Sequence, residues 1–189
     1  MAEDGGDPVP RLSLVSGPAR SGKSRWAEHL ALAAGLPVVY LATGPLLPED
    51  VAWQRRLERH RRRRPASWEC REVEGALAQA LDRLDPGCLG LVDSLGTWVA
   101  AHLDLEEELW RRQREALLQA MASCQAPLVV VSEETGWGVV PATAAGGRFR
   151  DRLGRLQQVL TGRCDRAWLV MQGRVIDLLA ISQPLPAQP

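Results

Sequence analysis

Eight residues, GPARSGKS from Gly17 to Ser24, constrain this chain more than any other feature. They satisfy GxxxxGK[ST], and they stand between an apolar run, LSLVS, and an amphipathic one beginning KSRWAEHLALA. Strand, loop and helix in that order are what phosphate binding needs. Gly17 and Gly22 let backbone approach a ligand closely, so successive N–H groups and a helix N-terminus can face phosphate oxygens. Gly17, Pro18, Ala19, Arg20, Ser21, Gly22, Lys23 and Ser24 are therefore the expected nucleotide-binding loop, a P-loop. Lys23 would neutralise the terminal phosphates and Ser24 would hold Mg²⁺. The bland alternative is a chance glycine-rich turn, which the flanking pattern disfavours.

The remaining chain alternates short apolar runs with longer amphipathic stretches, the pattern of a largely parallel sheet covered by helices. Strands are expected at 12–16, 38–42, 89–93, 128–132 and 167–171, with a last strand at 175–178 pairing as a hairpin through Gly173. Helices are expected at 23–34, 49–63, 76–84, 106–123 and 148–160. The organisation expected is one nucleotide-binding domain over 11–180. Tails at 1–10 and 181–189, rich in Pro, Gly and polar residues, lack the apolar content to order themselves.

Lys plus Arg and Asp plus Glu both number 23, so no global field would recruit nucleic acid or an anionic membrane. Cys70, Cys88, Cys124 and Cys164 stand far apart, without a CxxC pair or metal-ligand spacing, and read as reduced thiols in the cytoplasm. No apolar run approaches the roughly 20 residues of a membrane span. The start of the chain, Met1 to Asp7, is acidic and lacks a signal peptide's design.

Beyond the P-loop, CLGLVDSLGTW ends an apolar strand at Asp93, the usual place for a carboxylate serving a magnesium shell. The lesser alternative for Asp93 is a turn or capping aspartate of the next segment. In EDVAWQRRLERHRRRRP, read as a helix, Trp53, Leu57 and His60 share one face, and arginines flank the histidine. Like charge would keep that imidazole neutral and nucleophilic. Two alternatives stand beside this: a packed histidine at the end of a solvated basic helix, or nucleic-acid binding through Arg59 and Arg61 to Arg64. No aromatic residue interleaves the run to stack bases. In VSEETGWGVVP, Glu133 and Glu134 either position substrate or are solvated loop acids, and Arg148, Arg150 and Arg152 are expected near a helix start, binding phosphate or forming surface ion pairs. His29 and His102 carry no catalytic signal.

Six blocks, GPARSGKS, YLATG, RLERHRRRRPASWECRE, LVDSLGTWVA, VSEETGWGVVP and RFRDRLGRLQQVL, together resemble one family, in order, from about Leu12 to Leu178. It is the bifunctional adenosylcobinamide kinase and adenosylcobinamide-phosphate guanylyltransferase family of cobalamin biosynthesis. The resemblance implies a P-loop, RecA-like fold and a homo-oligomer, a trimer with active sites between subunits. It implies phosphorylation of the aminopropanol hydroxyl of adenosylcobinamide, using ATP or GTP, followed by GMP transfer from GTP through a guanylylated histidine. The family's histidine falls on His60, and Glu72 matches an acidic position that would contact guanosine. The chain departs from the family's usual "NEVG" at Glu133 and from "GR.NQ" at Gln157. These departures bear on the kinase step or corrinoid binding more than on guanylyl transfer. A P-loop kinase of another small metabolite, with a structural His60, is the competing enzyme reading.

Overall fold

The computed structural model describes residues 8–186; the side chains of Trp53, Arg56, Arg59 and His60 lie outside that description. Seven strands form one sheet: β1 (Leu12–Gly17), β2 (Val38–Ala42), β3 (Glu69–Glu72), β4 (Leu89–Asp93), β5 (Leu128–Glu133), β6 (Arg166–Met171) and β7 (Arg174–Asp177). Their spatial order is β3-β2-β4-β5-β1-β6-β7, parallel throughout except for the β6–β7 hairpin. The helices are α1 (Lys23–Ala33), α2 (Val51–Arg63), α3 (Leu77–Leu81), α4 (Leu95–Ala101), α5 (Glu107–Ser123), α6 (Ala144–Thr161) and α7 (Leu178–Ile181).

Central strands that are apolar at nearly every position must be covered on both faces, and these are. On one face Leu14, Leu41 and Val130 pack against Leu77, Trp98, Leu117 and Leu153 of the helices α3 to α6. On the other, Val15, Tyr40 and Val131 meet Ala27 and Ala31 of α1. Those two alanines are one turn apart and fully buried, which lets α1 lie close on the sheet. The parallel arrangement brings the carboxyl ends of β1, β4 and β5 to one edge. Gly17 is level with Glu133, and Asp93 lies two residues lower, level with Val131. Ligands of open α/β sheets bind at that edge.

The expected strands are all present, and the hairpin turns at Gln172 and Gly173, both with positive φ. Three elements were not expected, β3, α4 and the four-residue α7, whose last residue, Ile181, falls in the tail expected at 181–189; a fourth, α6, was expected but starts earlier. Strand β3 reads ECRE, without an apolar alternation, because it is an edge strand with little buried surface. Helix α4 is seven residues long, too short to establish a 3.6-residue period, and starts at a capping box between Ser94 and Thr97. Helix α6 begins at Ala144, not near Arg148, because the Thr143 hydroxyl accepts from Gly146 N at 3.1 Å and nucleates the extra turn. Helix α3 is shorter than the expected 76–84.

Candidate active site

The P-loop is built by close approach. A Cβ on Gly17 would stand 2.2 Å from the Val170 carbonyl oxygen and 2.7 Å from Ser21 Oγ, so the end of β6 admits only glycine there. Arg20 and Gly22 take positive φ to turn the chain into α1. The cap residue of α1 is Gly22 and its first turn carries no acid, so apart from Ser21 Oγ, which accepts from Lys23 N at 3.3 Å, the leading N–H groups are left to an external anion. The Lys23 ammonium bridges back to the Pro18 carbonyl at 3.4 Å, so the cation spans the loop it would serve.

Asp93 ends β4, and its Oδ2 accepts a 2.7 Å hydrogen bond from the Tyr40 hydroxyl. Tyr40 is buried, and burial first, then the Asp93 charge, pushes its phenol well above the ordinary range. It therefore remains a donor at any physiological pH, holding Asp93 in one orientation. Lys23, Ser24, Tyr40, Arg64, Asp93 and Glu133 line a single cavity. Three of the residues expected to act on phosphate and metal, Lys23, Ser24 and Asp93, are thus brought together.

Neither Glu133, the last residue of β5, nor Glu134 is a solvated loop acid. Glu133 accepts from Ser94 Oγ at 2.6 Å and from Gly96 N at 2.9 Å, tying β5 to the start of α4. A Cβ on Gly96 would fall 2.1 Å from Glu133 Oε2, so this contact demands glycine as its partner. Glu134 accepts from Gln157 Nε2 at 3.2 Å, and burial raises its pKa. The same Gln157 amide donates to Ser132 Oγ and to the Glu133 carbonyl, both at 3.0 Å. Glu133 and Gln157, the two departures from the family pattern, are therefore in direct contact.

Helix α2 forms another wall through Leu57 and, just past its end, Arg64. Its arginines do not act alike. Arg61 pairs with Glu72 at 3.0 Å, Arg62 with Glu58, and Arg63 with Glu28 on α1 at 3.2 Å. The Arg64 guanidinium lies 3.3 Å above the Tyr40 ring. Glu72 ends the edge strand β3, on the Arg61 side, outside the cavity lining. His60 belongs to α2, one turn from both Leu57 and Arg64, with its side chain outside the described residues.

Other expectations are corrected. Arg152 lies two turns inside α6, not near its start, and is buried, donating to the carbonyls of His102, Leu103 and Leu105. Its donors are spent closing the C-terminal end of α4. Arg150 stands 3.7 Å from Asp151. His102 packs on Trp98, with Nδ1 2.8 Å from the Trp98 carbonyl, and His29 lies against Trp26, both away from the cavity lining. Sequence reasoning passed over Tyr40, and took Arg64 only as one of a run of arginines. The signal for Tyr40 was available: a hydroxyl inside an apolar strand must find a partner. All four cysteines are free thiols, and no helix among the described residues is long and apolar enough to cross a membrane.

A parallel sheet in this strand order, with the P-loop strand and the aspartate strand separated by β5, defines a P-loop nucleotide-binding protein of the RecA-like type. The comparison with protein families narrows the class. The model for cobinamide kinase / cobinamide phosphate guanyltransferase matches residues 13–178, and the chain belongs to that family. It is thus a kinase and nucleotidyltransferase. It is 38% identical over 178 residues to the bifunctional adenosylcobalamin biosynthesis protein CobP of Pseudomonas aeruginosa, covering 93% of this chain and 98% of that one. With CobU of Escherichia coli K12, of the same description, the identity is 33%, over 86% of this chain and 96% of the relative. Among solved structures, a Pyrococcus horikoshii OT3 protein, Project ID PH0250, shares the fold alone, at 6% identity and a TM-score of 0.53, over 89% of this chain and 85% of that one.

Proposed function

We propose that this protein phosphorylates the aminopropanol hydroxyl of adenosylcobinamide and then transfers GMP from GTP to the resulting phosphate, through a guanylyl intermediate on His60. The observation that carries the reading is a single cavity whose lining includes Lys23, Ser24 and Asp93 from the P-loop side and Leu57 and Arg64 from the α2 side. His60 stands three residues after Leu57 and four before Arg64, the spacing of one helix face.

In the kinase step the substrate oxygen attacks the γ-phosphorus of ATP or GTP, and the β–γ bridging bond breaks. The nucleoside diphosphate and the hydroxyl proton depart. Lys23 and the leading N–H groups of α1 hold the phosphate chain while charge spreads over the transferring group. In the guanylyl step a neutral His60 nitrogen attacks the α-phosphorus of GTP, a P–N bond forms and pyrophosphate leaves. A phosphate oxygen of adenosylcobinamide-phosphate then displaces the histidine, giving adenosylcobinamide-GDP. Two displacements on one nucleophile spare two bulky partners from meeting directly.

Ser24 and Asp93 supply hard oxygen donors on the same cavity, which suits Mg²⁺. When bound, the ion would neutralise phosphate charge, and Tyr40 would keep Asp93 turned towards it. Glu72 would meet the guanosine. A homo-oligomer, a trimer by family resemblance, is part of the same reading. The exposed Trp137, Val139 and Val140 after β5 support it, since an apolar loop beside a site suits a subunit contact.

The test is incubation with GTP radiolabelled on the α-phosphate, followed by denaturation. The reading expects acid-labile, alkali-stable label on the wild type and none on His60→Ala. Unlabelled wild type would leave a plain P-loop kinase with a structural His60.

A further inference from the structure

We infer that Arg64, alone among the four consecutive arginines at the end of α2, binds the phosphate chain of the nucleotide, and that its seat on Tyr40 ties it to Asp93. This deepens the reading of the cavity as a triphosphate site and does not depend on the histidine route.

Three arginines are committed elsewhere. Arg61, Arg62 and Arg63 each pair with a carboxylate, on Glu72, Glu58 and Glu28. Arg64 forms no ion pair with a carboxylate among the described residues, and its charge acts on Glu28 only weakly, behind Arg63. Its Nε is buried without a hydrogen-bond partner, and its one donor contact is 3.7 Å from NH1 to the sulfur of Cys70, a weak acceptor. A guanidinium carries five N–H donors, and the buried Nε–H left unmade is costly, while the terminal nitrogens reach the more open side of this half-buried residue. Yet Arg64 lines the same cavity as Lys23 and Ser24. A planar, permanently charged fork with open donors, facing the P-loop, matches a phosphate's oxygens.

Arg152 is the internal contrast. Like Arg64 it has an unpartnered Nε, but it is itself buried and its terminal nitrogens reach three backbone carbonyls, so its charge serves the fold. What holds Arg64 is a ring face, which fixes the plane of the fork while leaving its edges open. The Tyr40 hydroxyl beneath donates to Asp93, so the guanidinium and the candidate metal carboxylate are set by one side chain. A phosphate held by Arg64 on one side and Lys23 on the other would lie between the two walls of the cavity.

Binding of a fluorescent GTP analogue and of the corresponding guanosine, with Mg²⁺ present, tests this in wild type, Arg64→Gln, Arg64→Lys and Lys23→Ala. Arg64→Gln keeps a planar group over Tyr40, and equal thermal midpoints certify its fold. The expected result is triphosphate binding weakened about 30-fold by Arg64→Gln, and partly restored by Arg64→Lys, with guanosine binding unchanged. Equal loss of triphosphate and guanosine would make Arg64 a structural prop and overturn the proposal. So would wild-type triphosphate binding by Arg64→Gln while Lys23→Ala loses it. If Lys23→Ala also binds as wild type, the triphosphate site itself fails, and the proposal with it.

Discussion

The two walls of the cavity are made in opposite ways. The P-loop wall is backbone held in close contact: glycine against the end of β6, a helix N-terminus whose cap residue is glycine, a buried lysine. The α2 wall is a mostly exposed, highly charged helix, fastened near its C-terminal end by Arg61 to β3, Arg63 to α1 and Arg64 to β2. One wall fixes phosphate geometry by sterics, which tolerate no change. The other is set by a few polar anchors, each worth little alone. Such a division suits a site that must bind phosphate at one constant place and still admit a second, larger substrate.

The largest expected effect is on the rigid wall. Lys23→Ala should lower kcat/KM for both phosphate transfers by about 10²- to 10³-fold with little loss of stability, measured by steady-state kinetics beside urea unfolding. An equal effect from removing an α2 anchor would erase the distinction between the walls.

Next in size, Gly17→Ala should cost about 2–3 kcal/mol, since the new methyl meets a carbonyl oxygen and not a flexible side-chain end. Gly154, inside α6 with nothing within 4 Å of a Cβ, gives the opposite sign. Gly154→Ala should stabilise by about 0.5–1 kcal/mol through helix propensity. Chemical denaturation midpoints decide both.

A smaller effect belongs to the anchors. Glu28 is buried, and its pKa is raised chiefly by that burial, with Arg63 pulling it back. A carboxylate whose folded pKa lies above its unfolded value loses stability as pH rises from the unfolded to the folded value. Arg63→Ala removes the opposing pull and should widen that window. The variant's deficit relative to wild type should therefore grow as pH rises above the ordinary carboxylate range and vanish below it. Amide exchange should quicken in α2 but not in α1. A deficit independent of pH would mean that Arg63 acts through packing alone.

Smallest of all is a labelling contrast. Cys70 is exposed beside Arg64, whereas burial pushes the Cys164 thiol up to about 12 and raises Cys88 and Cys124. Iodoacetamide at mildly alkaline pH should modify Cys70 first, read by peptide mass spectrometry. Early modification of Cys164 would show that its end of the sheet opens more readily than the packing implies.

The same contrast explains what the sequence disclosed. The P-loop and the strands ending at Asp93 and Glu133 were legible because their chemistry is local: a fixed spacing between a strand and a helix. The sheet was legible because its central strands are continuously apolar. What escaped is pairwise and distant. Nothing near Arg64 in sequence says that Arg63 meets Glu28 while Arg64 meets Tyr40, and Arg152 resembles any arginine of an amphipathic helix until three carbonyls of another segment surround it. Strand β3, charged at three of its four positions, was invisible because an edge strand needs little apolar surface.

The central claim is that both chemistries use one nucleotide cavity with two walls. It is tested most directly by measuring covalent α-phosphate labelling from GTP while a β,γ-nonhydrolysable ATP analogue, bound at confirmed saturation, occupies the P-loop. The account predicts that labelling is competitively suppressed to the level of His60→Ala. Undiminished labelling would require a second nucleotide site and contradict it.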